Sequence, residues 1–448
     1  MGKESETAPS LREYQNVAIE SWIENGMEGI FSMATGTGKT YTAIYCVKEL
    51  LKINKKFLTV ISCPYVHLLS QWEKSLKRLG LTNIFVTNTA KWKDKLYIKI
   101  IGLYYTDNLI VLTTNNKLSD RDFINIIEKY PYDKFLIVDE VHGIGSQKRR
   151  TGLLEIYKYR LGLSATPERY FDEEGTDFII NYFSGIVYTF SLKQALNTIN
   201  PDTNKSFIVH YDYLPYFIDL DKEEETKYME ITKKLVKIWN LDGYDEAKEQ
   251  LLFKRQNIIK NAFNKYNVLR EIIDKLSSSR DVNHTLVYCS PQQISVVQDI
   301  LNEKDIIQHK FTMNESTKPD RKYNNTSERD FILSKFSEKS YNMLVAIKCL
   351  DEGVDVPSIK NAILMSSTGN SREWYQRMGR ILRRCRDKDH AYIYDIIVKP
   401  PLNVDPEFKK IELKLFEKEL RRYDEFSYNA DNSLECLNKI YKIKQEIW

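Results

Sequence analysis

Short apolar runs that end in polar turns alternate with amphipathic stretches in two separate regions of the chain. This alternation is typical of a parallel sheet wrapped by helices. The predicted strands of the first region are 29–33, 57–62, 109–113, 135–138 and 160–163, and those of the second are 285–289, 309–312, 342–346, 361–365 and 390–396. The pattern therefore predicts an α/β protein with two doubly wound parallel-sheet domains.

The stretch between the two regions has a different pattern. From 221 to 276 the apolar residues recur every three to four positions, which indicates helices, and the chain after 400 is again helical and rich in charge. We therefore predict a first domain at 1–200, a linker and helical insert at 201–280, a second domain at 281–400 and a C-terminal helical extension at 401–448. No repeat is present, which argues against solenoids and propellers.

Composition narrows the class of protein. The chain has 448 residues, 42% hydrophobic and 29% charged, as expected of a multidomain globular protein. Its six cysteines have no metal-ligand spacing, so we expect reduced, packed thiols. No apolar run is long enough to cross a membrane and the N-terminus is too polar for a signal peptide, which predicts a cytoplasmic or nuclear location. The net charge of +4 permits a nucleic-acid partner without arguing for one.

A candidate phosphate-binding turn follows the first predicted strand. Residues 34–40 read Ala-Thr-Gly-Thr-Gly-Lys-Thr and lead into a helical stretch. Gly36 and Gly38 would let consecutive N–H groups point at phosphate oxygens, with the helix N-terminus behind them. Lys39 would then reach the β- and γ-phosphates, and the Thr40 hydroxyl would hold Mg²⁺. The alternative is a tight strand-to-helix turn that binds nothing.

A carboxylate pair ends the apolar strand at 135–138. Asp139 would lie beside the crevice at the carboxyl edge of the sheet, placed to hold Mg²⁺ through the water shell of the ion. Glu140 is placed to orient and deprotonate the attacking water. A solvated Asp-Glu pair is the alternative, which the phosphate-binding turn upstream disfavours. A third motif, Ser-Ala-Thr-Pro at 164–167, follows another strand and is by itself a commonplace strand exit.

Seven motifs in order resemble those of superfamily 2 helicases. In the first half they are 11–15 (LREYQ), 34–40 (ATGTGKT), 139–142 (DEVH) and 164–166 (SAT), and in the second half 285–290 (TLVYCS), 344–357 (LVAIKCLDEGVDVP) and 376–383 (QRMGRILR). The resemblance implies two tandem RecA-like domains with a helical insert between them. The DEVH spelling and the LREYQ opening resemble the branch that contains XPB-type repair helicases and the motor subunits of type III restriction enzymes.

The resemblance also implies roles for residues in both halves. The residues expected near the nucleotide, besides those of the turn, are Arg12 and Gln15 at the adenine and Gly353 and Asp355 on the ATP side of the second domain. The residues expected to couple ATP to nucleic acid are His142, Ser164, Thr166 and Gln376. The residues expected at the nucleic-acid backbone are Pro64, Thr113, Thr114 and Ser290. Arg380 and Arg383 would reach the γ-phosphate, and their spacing of three predicts one shared helix face.

We therefore expect an ATP hydrolase that needs Mg²⁺ and works as a DNA helicase or double-stranded DNA translocase. DNA is expected rather than RNA because of the resemblance to the repair and restriction branch. No nuclease motif is visible in the sequence, so any cleavage would need a partner subunit. The alternative is a nucleic-acid-stimulated ATPase switch that recruits or licenses a partner without processive unwinding. A nucleotide-binding scaffold is disfavoured because Glu140 and both arginines are present.

Several features stay open at the level of sequence. The basic residues at 148–150 either contact phosphates or form a solvated loop. Arg384 and Arg386 either belong to the arginine motif or form a basic helix face. Trp72 is expected in the core rather than as a base-stacking platform. The helical insert either grips or separates nucleic-acid strands, or it is a scaffold that bridges the two sheets.

Overall fold

A computed structural model describes residues 11–54, 56–102, 108–168, 172–201, 203–239, 245–312, 314–347, 356, 358–366, 371–385, 387–401 and 406–447. The chain divides into two units, Met1–Ile199 and Asn200–Trp448. Among the described residues, no helix is both long enough and apolar enough to span a bilayer.

The first unit is built on a seven-stranded sheet whose strand pairs are all parallel. Its strands are β1 (Glu28–Met33), β2 (Phe57–Cys63), β3 (Ile84–Val86), β4 (Asn108–Thr114), β5 (Lys134–Asp139), β6 (Tyr159–Ser164) and β7 (Ile186–Phe190). Their spatial order is β3-β4-β2-β5-β6-β1-β7. The five strands predicted for this region are present, and β3 and β7 are additional. The strand β2 is buried along its whole length, which explains its uninterrupted apolar sequence.

Helices cover this sheet and close its core. They are α1 (Glu13–Glu24), α2 (Lys39–Ile53), α3 (Val66–Arg78), α4 (Trp92–Gly102), α5 (Asn115–Leu118), α6 (Arg121–Glu128), the 3₁₀ helix η1 (Val141–Ile144), α7 (Gln147–Arg150), α8 (Glu173–Tyr182) and α9 (Leu192–Asn197). Strand residues such as Val60 and Leu136 pack in one buried cluster with helix residues such as Phe123 and Ile127. Because neighbouring strands are parallel, the loops after β1, β2, β5 and β6 share one edge of the sheet.

The second unit has a six-stranded parallel sheet of its own, in the order β10-β17-β16-β11-β15-β12. Two short ribbons pair β8 (Ile199–Asn200) with β9 (Lys205–Ser206) and β13 (Pro319–Asp320) with β14 (Thr326–Ser327). The sheet strands are β10 (His210–Ile218), β11 (Thr285–Tyr288), β12 (Gln308–Phe311), β15 (Met343–Ala346), β16 (Asn361–Leu364) and β17 (His390–Val398). The five strands predicted for the second region are present. The fold is therefore two parallel-sheet domains, as expected.

The stretch predicted as a linker and helical insert supplies both a strand and helices to the second unit. Its strand β10 lies beside β17 at the edge of the sheet. The helices of this unit are α10 (Lys222–Ile238), α11 (Asp245–Asn261), α12 (Asn264–Ser278), α13 (Ile294–Asn302), the 3₁₀ helix η2 (Arg321–Tyr323), α14 (Glu328–Ser337), α15 (Ser371–Ile381), α16 (Pro406–Asn429) and α17 (Ser433–Ile447). The helix α12 packs into the core with strands β11 and β16, through Leu269, Val287 and Ile363.

A buried polar cluster ties three of these helices together. Arg255 on α11 forms an ion pair with Glu412 on α16 and donates to the hydroxyl of Tyr228 on α10. Tyr228 donates to Glu412 at 2.7 Å, and the Thr232 hydroxyl does so at 3.2 Å. All four side chains are buried. Removing one member of a buried ion pair is costly because the other charge then stays in a poorly solvated place.

We expect Glu412→Ala to lower the free energy of unfolding of the second unit by about 3–5 kcal/mol, since Arg255 would keep its charge and lose its carboxylate. Glu417→Ala on the exposed side of α16 is the matched control and should change stability by less than about 0.5 kcal/mol. Urea denaturation of the full chain measures both. Equal effects of the two substitutions would contradict the role of the cluster.

Candidate functional site

The phosphate-binding turn lies between β1 and α2. Its backbone is left-handed at Gly36 (φ +88°) and Gly38 (φ +86°), a conformation that residues with a side chain rarely adopt. A Cβ atom on Gly38 would lie 2.7 Å from the side-chain nitrogen of Gln15, so a larger residue would displace that amide as well as strain the backbone. The Lys39 ammonium donates to the Met33 carbonyl at 2.9 Å. The local sequence therefore folds into the turn that its glycines predict.

Helix α1 holds this turn through Gln15. The side-chain nitrogen of Gln15 donates to the Thr42 hydroxyl at 3.1 Å and to the Gly38 carbonyl at 3.4 Å. Its side-chain oxygen accepts from the Arg12 peptide N–H at 3.0 Å. Both ends of the buried amide are thus engaged with the turn and with the start of α1. The adenine-reading role expected for Arg12 and Gln15 stays a prediction.

Tyr14 makes a second contact to the turn from the same helix. Its hydroxyl donates to the Thr37 carbonyl, and its ring stacks on Phe190 with centroids 4.3 Å apart. The Arg12 guanidinium lies beside that hydroxyl at 3.4 Å. Burial raises the pKa of Tyr14, so the hydroxyl stays a donor at neutral pH. The LREYQ segment therefore holds the candidate phosphate-binding turn through Tyr14 and Gln15, both in the first turn of α1.

The Asp139 carboxylate ends β5 at the same edge of the sheet. Its two oxygens accept from the Trp72 indole N–H at 2.9 Å and from the Glu140 peptide N–H at 3.0 Å. Burial and the neighbouring Glu140 carboxylate raise the pKa of Asp139 to about 6, and the Trp72 hydrogen bond and the Lys39 ammonium act in the opposite direction. Asp139 is therefore ionised at neutral pH and protonated in moderately acidic solution.

Glu140 has an unusual backbone. It is left-handed, with φ +50° and ψ +55°, and it precedes the 3₁₀ helix η1. A residue with a side chain pays about 1–3 kcal/mol for a sparsely populated conformation of this kind, and such residues cluster at functional sites. The Gly143 peptide N–H donates to the Glu140 carbonyl at 2.8 Å and helps to hold the conformation. The strain places the Glu140 side chain beyond the end of β5.

The coupling residues of the first unit come together behind Glu140. The Nδ1 atom of the buried His142 lies 3.0 Å from the Ser164 hydroxyl and 3.6 Å from the Glu140 carboxylate. The Ser164 oxygen also accepts from the Thr166 peptide N–H at 3.1 Å. His142 therefore joins the end of β6 to the carboxylate pair at the end of β5. Their part in coupling ATP to nucleic acid stays a prediction.

The residues at this edge fit a magnesium-bound nucleoside triphosphate. The Thr35 hydroxyl is buried without a hydrogen-bond partner among the described residues, and it lies in the turn itself. Lys39 supplies the positive charge that a triphosphate needs. The Thr40 hydroxyl, in the first turn of α2, and the Asp139 carboxylate are the oxygen ligands that Mg²⁺ prefers. These two residues would hold the ion.

The predicted nucleic-acid contacts of the first unit differ in exposure. Pro64 follows β2 and is partly exposed, and Thr114 is partly exposed at the start of α5. The Thr113 hydroxyl is buried and lies 3.1 Å from the hydroxyl of Thr87. Pro64 and Thr114 are therefore accessible to a ligand, whereas the Thr113 side chain is committed to the interior.

The Ser290 side chain of the second unit is likewise buried and hydrogen-bonded within the protein. Its hydroxyl donates to the Asn261 side chain at 2.5 Å and accepts from the Gln293 peptide N–H at 3.2 Å. Its own peptide N–H donates to the Gln293 side chain at 2.9 Å. Ser290 is buried, so a contact to nucleic acid at this position needs the neighbouring backbone rather than the hydroxyl.

The prediction that Arg380 and Arg383 share a helix face is wrong. Helix α15 ends at Ile381, and Arg383 lies beyond it in an isolated antiparallel bridge with Ile208. The Arg383 peptide N–H donates to the Arg380 carbonyl at 3.3 Å, which closes a turn. The Lys388 ammonium donates to the Ile381 and Arg383 carbonyls and fixes that turn. The predicted roles of the two arginines at the γ-phosphate remain predictions.

The other residues that the sequence singles out in the second unit differ in their surroundings. Arg384 donates to the Ser206 carbonyl at 2.9 Å and forms an ion pair with Asp389 at 3.3 Å, so it is a structural anchor. Gln376 lies within α15. Gly353, Asp355 and Arg386 lie outside the described residues.

The sequence did not predict the contacts that three residues make beside this site. Trp72 is buried, as expected of a core residue, but its indole N–H also holds Asp139. Arg149 and Arg150 donate to the carbonyls of Gly143 and Gly145 rather than lying in a solvated loop. The signal for the arginines was present in the basic run directly after the carboxylate pair. The signal for Trp72 was absent, because Trp72 and Asp139 are 67 positions apart.

Known families match both units. Residues 8–169 match the family described as type III restriction enzyme, res subunit, and residues 264–385 match the helicase conserved C-terminal domain. The DNA 3′-5′ translocase XPB2 of Sulfurisphaera tokodaii is 28% identical over 411 residues, which cover 87% of this chain and 82% of the translocase.

Two solved structures share the fold. The ATP-dependent Type ISP restriction-modification enzyme LlaBIII, bound to DNA, has a TM-score of 0.59 at 16% identity and covers 94% of this chain, which spans 30% of the LlaBIII chain. The helicase domain of Pyrococcus furiosus Hef has a TM-score of 0.52 at 14% identity over 87% of this chain and 96% of that one. The two parallel-sheet units therefore have the fold of tandem RecA-like domains.

The two family matches occur in the order that the motifs predict. The first contains the phosphate-binding turn and the carboxylate pair, and the second contains the arginine motif. The motifs, the two parallel-sheet units and both family matches thus agree. The chain belongs to the superfamily 2 helicases, a class of nucleic-acid-dependent ATPases.

Proposed function

We propose that this chain is an ATP-dependent DNA motor that couples hydrolysis to movement along double-stranded DNA or to its unwinding. The relative in Sulfurisphaera tokodaii is named a DNA translocase, and the LlaBIII structure is described as bound to DNA. These relatives favour DNA over RNA as the partner. The family that matches the first unit is described as a subunit of a restriction enzyme, which favours a partner subunit, such as a nuclease, for any reaction beyond movement.

The observation that carries the proposal is the arrangement around Asp139. The carboxylate is fixed through both oxygens, and the Lys39 ammonium of the phosphate-binding turn is near enough to lower its pKa. Glu140 follows in a strained backbone conformation. The residues proposed as phosphate cradle, metal ligand and general base thus lie at one edge of a parallel sheet, which supports hydrolysis of a nucleoside triphosphate.

The chemistry of the first unit follows from these positions. The turn and Lys39 would bind the β- and γ-phosphates and hold the γ-phosphate in line with an attacking water. Glu140 would orient that water and take its proton as the bond to the γ-phosphate forms. Thr40 and Asp139 would hold Mg²⁺, which when bound neutralises charge on the phosphate oxygens. The leaving group is ADP.

We assign the charge that completes the transition state to Arg380 and Arg383. Guanidinium groups stay ionised and bind phosphate oxygens bidentately, so they suit this role. A trans-acting arginine in phosphoryl transfer raises the rate by roughly 10³–10⁵. Gly353 and Asp355 are assigned to the same nucleotide. Hydrolysis that needs residues of both units would be sensitive to a ligand that binds both, which is one way for DNA to stimulate it.

The proposal predicts that duplex DNA raises ATP turnover of the purified chain and that DNA binding weakens steeply with salt. The affinity should fall log-linearly, with a slope of about −0.9 for each phosphate contacted on duplex DNA. Turnover with duplex DNA, single-stranded DNA and RNA gives the comparison, and displacement of a triplex-forming strand reports movement along the duplex. Stimulation without displacement would favour the ATPase switch, and a rate indifferent to DNA and RNA would contradict both.

Substitutions in the first unit should separate binding from chemistry. Lys39→Ala removes the charge that binds the β- and γ-phosphates, so ATP binding and turnover should both be lost. Glu140→Gln keeps the shape but cannot take a proton, so ATP should still bind while turnover falls at least about 100-fold. Fluorescent-nucleotide binding and phosphate release measure the two steps. Loss of ATP binding in Glu140→Gln equal to that in Lys39→Ala would count against Glu140 as the base.

A further inference from the structure

The basic residues at 148–150 lie in helix α7, which follows η1, and the three side chains make different contacts. Lys148 is exposed, and its side chain makes no ion pair or hydrogen bond among the described residues. Arg150 donates to the Gly145 carbonyl at 2.6 Å and forms an ion pair with Glu174 at 2.7 Å. Arg149 donates to two different elements. A shared role in binding phosphates does not account for this difference.

Arg149 joins η1 to α5. One terminal nitrogen of its guanidinium donates to the Gly143 carbonyl at 2.8 Å, within η1. The Nε atom donates to the Asn116 side-chain oxygen at 3.0 Å, within α5. A guanidinium is a rigid planar fork, so two acceptors bound to it move together. Charge-assisted hydrogen bonds of this kind are stronger than neutral ones.

We call the two hydrogen bonds of Arg149, to α5 and to η1, the Arg149 bridge. Its α5 end lies where nucleic acid is expected. Helix α5 begins directly after Thr114, the accessible member of the predicted contacts after β4. Its first residue, Asn115, is buried and accepts from the Ser62 hydroxyl at 2.6 Å. A Cβ atom added at Gly143 would lie 3.5 Å from the Asn115 side-chain nitrogen, so α5 and η1 lie close together at this point. A ligand that displaces α5 therefore displaces η1.

The η1 end of the bridge lies at the proposed general base. The Gly143 peptide N–H donates to the Glu140 carbonyl at 2.8 Å, while the Gly143 carbonyl accepts from Arg149. The peptide groups on both sides of Gly143 are thus tied, one to Glu140 and one to Arg149. Glu140 is in a strained left-handed conformation, so a small shift of η1 changes where its carboxylate points.

We propose that Arg149 is a positioning residue that couples DNA bound at the start of α5 to the placement of the Glu140 carboxylate. This inference rests on the proposed function. Arg149 touches neither DNA nor ATP; it passes the position of α5 to η1. Allosteric couplings between two sites usually change affinity by a factor of about 5–150, and a bridge of two hydrogen bonds lies within that range.

The test is the ratio of DNA-stimulated to basal ATP turnover in Arg149→Ala. We expect this ratio to fall at least about fivefold while DNA affinity stays within about twofold of the wild type. Lys148→Ala removes the same charge from the same helix and is the matched control; its ratio should not change. If Arg149 and Lys148 instead bind phosphates, both variants would lose DNA affinity and salt dependence, which would overturn the proposal.

A double-mutant cycle identifies the bridge itself. Asn116→Ala should lower the stimulation ratio as Arg149→Ala does, and the double variant should be no worse than the more affected single one. Additive effects, or a wild-type ratio in Arg149→Ala, would contradict the coupling. Arg149→Lys keeps the charge but cannot span both acceptors, so it should behave as Arg149→Ala and serves if the alanine variant does not fold. A wild-type chain that DNA does not stimulate would refute the proposed function instead.

Discussion

Two adjacent carboxylates at the carboxyl edge of one parallel sheet impose the constraint around which the first unit is built. Burial penalises the charge of Asp139 and the adjacent Glu140 carboxylate repels it, which together raise the pKa of Asp139 to about 6. The surrounding groups stabilise the ionised Asp139 carboxylate with hydrogen-bond donors and positive charge. Trp72 and the Glu140 peptide N–H bind the Asp139 oxygens, and the Lys39 ammonium lies nearby. The positive charge of a metal ion bound with the triphosphate would further offset the negative charge of the two carboxylates.

The loops around this pair are positioned by contacts with one another rather than by the sheet alone. Glu140 is left-handed because η1 begins directly after it, and η1 is held from one side by His142 against Ser164 and from the other by Arg149. Helix α1 fixes the phosphate-binding turn through the amide of Gln15. These contacts organise the backbone at the site, which lowers the cost of organising the reaction.

The sequence predicts the central strands well because they are buried on both faces and therefore read as continuous apolar runs. It misses β10, whose buried Tyr211 and Tyr213 alternate with half-exposed residues at the sheet edge, and it misses β3 and β7 at the two edges of the first sheet. Motif order identifies Lys39, Asp139 and Glu140, which lie at one edge of the first sheet, and their roles at a nucleotide stay predictions. It does not predict the end of α15 before Arg383, since the Lys388 ammonium sets that turn through tertiary hydrogen bonds. Contacts between distant positions, such as Trp72 with Asp139, require the fold.

The pH dependence of the Mg²⁺ concentration that half-saturates ATP turnover tests most directly whether Asp139 binds the metal ion. A proton and the metal ion compete for Asp139, so in the wild type Mg²⁺ affinity should weaken as the pH falls through about 6. Trp72→Phe deletes the N–H that stabilises the ionised carboxylate, which raises the pKa of Asp139, so the weakening should begin at higher pH. Trp22→Phe removes a comparable buried hydrogen bond, to the Arg160 carbonyl, and should match the wild type. Protonation of the nucleotide also changes Mg²⁺ binding with pH, but it affects all three proteins equally. A Trp72→Phe profile that coincides with the other two would contradict the claim that Asp139, held by Trp72, is the ligand of the metal ion.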